Sequence, residues 1–187
     1  MALIILGIIL WSVVHLIPAA APGIKARWQG ALGKHGYRGS FALLIIISIV
    51  MMVMGWRQAL PTYLYTLSEQ IHLATMAIMT FAVVLFVAAK VPTRIKRIFR
   101  HPQLLGVALW SFAHLLVNGD SRSVVLFGGL LLWSVLEIFL INRRDGAWVK
   151  PPVKGIYIEL VLAVISAAVF AALVVAHPYL SGIKLGV

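Results

Sequence analysis

Five ionisable side chains stand in or beside stretches of otherwise apolar sequence: His15, His72, His114, Glu137 and Glu159. A titratable group inside a membrane-crossing helix is costly to hold there, so each is a functional candidate by default. On helical three- and four-residue spacing, His15 shares a face with Ile8, Trp11 and Ser12, and His114 with Val107, Trp110, Ser111 and Asn118. The two sites repeat one pattern, Trp11-Ser12-Val13-Val14-His15 and Trp110-Ser111-Phe112-Ala113-His114. A third copy, Trp133-Ser134-Val135-Leu136-Glu137, ends in a carboxylate.

Neutral imidazole binds iron, copper, zinc and nickel. Two histidines on different helices, among aromatic and aliphatic neighbours, suit haem, whose flat apolar ring fills a gap between helices. Zinc would want a third or fourth ligand, which Glu137 could supply. Alternatively, each histidine bonds a neighbouring helix and binds nothing. His72, with Glu69 one turn before it, is a reserve ligand. His101 and His177 lie at helix ends within reach of water, and His35 lies in a basic loop. Glu137 is expected to pair with a basic residue, face a polar cavity or stay protonated, the plain alternative being that it snorkels to the interface.

These residues must be positioned by membrane helices. Of 187 residues, 62% are hydrophobic and only 11% charged, against about a quarter charged in a soluble domain. That balance excludes an isolated water-soluble enzyme, and it excludes disorder. With no cysteine, there is no disulfide framework, thiolate zinc site, iron–sulfur cluster or covalent c-type haem. Six stretches approach the roughly 20 apolar residues of a spanning helix: Ala2–Ile17, Ser40–Trp56, Ser68–Ala89, Pro102–Val117, Ser123–Ile141 and Tyr157–Ala176. Pro18 with Pro22–Gly23, Pro61, Pro92, Asn118–Gly119 and Pro151–Pro152 separate them, and no gap holds a soluble domain. The first stretch has no basic run after Met1 and contains Trp11 and His15, so it is read as a retained helix. The expectation is an all-α integral membrane protein, residues 1–187 forming one six-helix transmembrane bundle.

The net charge of +11 is unevenly spread. Thirteen basic residues fall in the first, third and fifth loops, leaving Arg57, Arg122 and Lys184 elsewhere. Loops rich in Lys and Arg stay cytoplasmic, so both termini are expected on the non-cytoplasmic side. Topology and anionic lipid account for the charge, and no nucleic-acid partner is implied. On this topology His15 lies roughly 10 Å from the cytoplasmic end of its helix, and His114 roughly 18 Å beyond Pro102. That offset leaves room for both imidazoles to reach one tilted haem. Helices one and four would run in opposite directions, so the repeated pattern admits an inverted three-plus-three repeat, as in a small-molecule carrier.

The stretch Arg100-His101-Pro102-Gln103-Leu104-Leu105-Gly106, continuing to Trp110-Ser111-Phe112-Ala113-His114, resembles the NnrU family of membrane proteins. The run Asn142-Arg143-Arg144-Asp145-Gly146 strengthens the match, and the resemblance extends from His15 through Arg27 and Arg38 to Gly146. NnrU proteins are in turn similar to the plastid zeta-carotene isomerase, a haem b membrane enzyme. The resemblance implies non-covalent haem b with His15 and His114 as axial iron ligands and Trp11, Trp110 and Ser111 beside them. It implies a structural or supporting role for His101. Trp56 stands where the isomerase has a further histidine, and Ser111 where it has a cysteine. For function it implies a multi-pass protein of the bacterial inner membrane, tied to nitric oxide and nitrite metabolism in denitrification by sensing or redox chemistry. The alternative it implies is a haem-dependent isomerase of a lipid-soluble polyene. Arg-His-Pro followed by glycine also occurs in membrane methyltransferases of the isoprenylcysteine type, which would need a cofactor pocket beside His101.

Overall fold

In the computed structural model, residues 1–67, 70–152 and 154–182 are described. They form six α-helices: α1 (Ala2–Ala20), α2 (Pro22–Gln58), α3 (Ile71–Ala88), α4 (Pro102–Val117), α5 (Ser121–Asp145) and α6 (Tyr157–Ser181). A short 3-10 turn, Arg94–Arg97, precedes α4. Among the described residues there is no strand, and a lone bridge pairs Tyr63 with Asp120. All the helices except α4 are long and apolar enough to cross a membrane. The 16 residues of α4 rise only about 24 Å, short of the hydrocarbon thickness of roughly 30 Å.

The first basic loop departs from expectation. Pro22 does not end helical structure; it starts α2, because a first-turn proline lacks only an N–H that would have no helical partner. The break falls at Gly33, whose φ of 68° and ψ of 174° interrupt the helix, a conformation open to glycine. The short first arm of α2 turns Trp28 against Tyr37 and Phe41.

Helices α1 and α2 pack backbone to backbone through small residues. A Cβ at Gly7 would lie 2.8 Å from the Ser48 carbonyl oxygen, and one at Gly55 would lie 2.6 Å from the Ile4 nitrogen. Such close approach lets dispersion and backbone contacts hold membrane helices that lipid does not drive together. Ile4, Ile8, Met52 and Ala59 form the buried core of this pair, with Trp11 and Trp56 packed on it. A second core joins Val83, Val87 and Ala88 of α3 to Leu162 of α6.

The helices neighbour one another in the order α2, α1, α5, α4, α3, α6. Thus α5 packs on both histidine helices, while α1 and α4 share no extensive interface. An inverted repeat would give the α3–α4 packing a counterpart between α6 and α1, and none of that extent is present.

Hydrogen bonds tie the connections at each end. At one end, Leu64 and Tyr65 donate their N–H groups to the Gly119 carbonyl, Ser121 donates to Thr62, and the Tyr65 hydroxyl donates to the Leu115 carbonyl at 2.5 Å. Asp120 caps α5, accepting from the N–H groups of Arg122 and Ser123 and from the Ser123 hydroxyl at 2.6 Å. Burial pushes the Asp120 carboxyl up, but these bonds and the Arg122 charge outweigh it and hold it below its ordinary value. At the other end, Arg144 donates to the Pro18 carbonyl, Arg97 to Pro151 and Arg100 to Gly146. The three basic connections are therefore gathered at one end of the bundle.

Candidate functional site

The repeated Trp-Ser-x-x-His pattern folds the same way twice. Nδ1 of His15 lies 2.9 Å from the Trp11 carbonyl, and Nδ1 of His114 lies 2.8 Å from the Trp110 carbonyl. A carbonyl only accepts, so Nδ1 carries the proton in both rings. In the neutral ring Nε2 then keeps its lone pair, and Nε2 is a nitrogen with which histidine binds metals. The helix supplies this geometry, since the carbonyl four residues back lies beneath the imidazole.

Each imidazole has its own aromatic wall. His15 is bordered by Trp11, with ring centroids 4.3 Å apart, by Trp133 of α5 at 5.0 Å, and by Phe41 of α2 at 5.4 Å. His114 is bordered by Trp110 at 4.8 Å and is stacked on Phe127 of α5 at 4.3 Å. The two histidines share none of these ring neighbours. Phe127 and Trp133 are six residues apart on α5, roughly 9 Å of helical rise. Trp56 reaches Phe127 with centroids 6.3 Å apart and carries the Arg122 guanidinium over its ring at 4.6 Å.

Polar atoms left without partners gather at these walls. Among the buried side-chain nitrogens and oxygens of the described residues, the Trp11 and Trp133 indole N–H groups, the Ser111 hydroxyl, Glu137 Oε2 and the Ser166 hydroxyl make no hydrogen bond to another described residue. Four of the five belong to copies of the repeated pattern. Leaving such a group unmet inside a protein costs about 1–3 kcal/mol, so each invites a partner from outside the chain. Glu137 is only 7% exposed, and Arg144, two turns further along α5 at the basic end, is the basic residue whose charge acts on it.

The remaining candidates are placed more plainly. His72 is exposed on the first turn of α3, and its sequence partner Glu69 lies outside the described residues. His101 sets the start of α4 with Nε2 at 2.9 Å from the Asn142 oxygen. His177 contacts the Ser181 hydroxyl through Nδ1. Glu159 accepts from the Thr93 hydroxyl at 2.5 Å and the Arg94 N–H at 2.8 Å, fixing the 3-10 turn to α6. His35 is exposed on α2. Among the described residues no three His, Asp or Glu side chains converge as a metal site, so the zinc arrangement with Glu137 has no counterpart. Phe41 and Phe127 carried no sequence signal, being apolar residues on apolar helices. Trp133 was signalled by the third copy of the pattern.

The fold and its buried polar groups define a multi-pass, all-helical membrane protein with two imidazoles bonded to their own helices in aromatic surroundings. The family model described as NnrU protein matches residues 3–185, and the chain belongs to that family. No curated protein matches it, and neither does any solved structure.

Proposed function

We propose that the protein binds haem b non-covalently, that His15 and His114 would hold its iron, and that it serves nitric oxide or electron handling in the inner membrane of a denitrifying bacterium. The observation that carries this reading is the repeated tautomer: both imidazoles spend Nδ1 on their own helix and leave Nε2 to a ligand. The donor set fits haem iron, which takes neutral imidazole and needs only two protein ligands. When bound, the haem would supply one-electron chemistry.

The chain's own residues orient the imidazoles and exclude water. Trp11, Trp110, Trp133 and Phe127 wall the rings, and the unpartnered indole N–H groups of Trp11 and Trp133 offer donors beside His15. Ser111 stands one turn before His114; a hydroxyl is too weak an acid to serve as an anionic ligand, so no thiolate switch accompanies redox change. The gathering of Lys and Arg at one end supports a topology with both termini outside the cytoplasm.

The test is an optical spectrum of the detergent-purified protein, oxidised and reduced, with iron analysis. A Soret band with stoichiometric iron supports the reading, and a shift of that band by nitric oxide favours gas handling over electron handling. Absence of iron after expression with ample haem rejects it. Isomerisation of a polyene by the haem-loaded protein would instead support the enzyme alternative.

A further inference from the structure

Two open cavities of about 360 and 470 Å³ lie side by side at the basic end of the bundle, sharing Arg100, His101 and Trp148. Lys96 lines the first of them. No carboxylate lines either. The adjacent Asp145 is engaged by Arg144 through two contacts, at 2.6 and 3.1 Å. Arg100 spends one nitrogen on the Gly146 carbonyl, and a guanidinium has further N–H groups to offer. Below this cationic rim the second cavity is apolar, lined by Phe99, Leu105 and Ile138. Leu105 and Ile138 belong to α4 and α5, which run on into the hydrocarbon. Trp148, half-buried at the edge, has the amphipathic ring typical of the membrane–water boundary.

A soluble anion would use only the rim, and a neutral lipid only the floor. We propose that this groove is a binding site for an anionic phospholipid, its phosphate held by Lys96 and Arg100 and its first acyl carbons lying on Leu105 and Ile138. The site is independent of the haem reading. It also gives the pocket beside His101 an occupant: basic pockets between membrane helices on the charged side suit anionic headgroups.

The experiment reconstitutes the full chain in phosphatidylcholine vesicles containing either brominated phosphatidylglycerol or brominated phosphatidylcholine at equal mole fraction. Subtracting Trp148→Phe isolates the fluorescence of Trp148. Quenching of that component is expected to be stronger with the brominated anionic lipid and to persist in high salt. Arg100→Gln and Lys96→Gln are each expected to weaken the preference about five-fold, the ~1 kcal/mol of one cation at a lipid surface. Arg38→Gln, on another basic connection, should leave it unchanged. Retained quenching by the brominated neutral lipid verifies that each variant is inserted. Equal quenching by the two lipids would overturn the proposal. So would an equal loss in Arg38→Gln, which marks diffuse attraction, or displacement of the lipid by inorganic phosphate, which marks a simple anion site.

Discussion

Nδ1 of His15 sits 2.9 Å from the carbonyl of Trp11, one helical turn earlier in the same helix. That bond fixes which nitrogen is left for chemistry, and His114 repeats it with Trp110 at 2.8 Å. A local pattern of five residues thus presets the orientation of two imidazole rings, before any contact between helices is considered.

Glu137 serves the same wall. It lies one turn beyond Trp133 on α5, and Trp133 touches His15. Glu137→Gln keeps the shape and removes the titratable group, so it should leave the thermal midpoint nearly unchanged in detergent while altering the haem spectrum. Unchanged haem content and spectrum would return Glu137 to a structural role.

Gly119 is held by close approach. A Cβ there would fall 1.7 Å from the Tyr65 carbonyl oxygen, whereas one at Gly128 would meet nothing within 4 Å. Gly119→Ala is expected to cost on the order of 1–3 kcal/mol by forcing the two connections apart. Gly128→Ala, inside α5, should be neutral or stabilise by about 1 kcal/mol. Thermal unfolding of the pair in detergent checks both signs.

The cap at Asp120 makes that end of the bundle acid-sensitive. Its carboxyl is held below the ordinary value of 3.8. The stabilisation is therefore complete above that value and is lost as pH falls through the lower folded one. Asp120→Asn should lower the thermal midpoint at neutral pH, and the gap to the parent should close below about pH 4. A gap that stays constant down to strongly acid pH would show that the charge of Asp120 contributes nothing.

Topology can be tested at exposed positions away from that tight contact. Leu60 and Val149 are 87% and 89% exposed and lie in connections at opposite ends. Single cysteines there, in a chain otherwise free of cysteine, should be labelled from opposite sides of the membrane, Val149 from the cytoplasm. Labelling of both from one side would contradict the arrangement of spans.

The helices were largely legible because each apolar run is bounded by polar residues and turn formers. Asp120, two residues before Arg122, capped α5 earlier than hydropathy placed it, and Asp145 carried it to Gly146. The first arm of α2 was not legible: Lys25 and Arg27 hide a helix from hydropathy, and Pro22 reads as a breaker when it is a helix start. The site divided in the same way. The histidine–carbonyl bonds were implicit in the four-residue spacing, whereas the placing of α5 beside both histidine helices depends on packing that no single helix encodes. Phe127 stacked on His114 is the clearest product of that packing.

The central claim is that His15 and His114 ligate haem iron, and the direct measurement is the spectrum and iron content of His15→Ala and His114→Ala beside Ser111→Ala. Each histidine variant should lose haem or change its spin state, and the serine variant should resemble the parent. Loss confined to one histidine variant would show a single-ligand haem. Normal haem in both histidine variants would contradict the assignment.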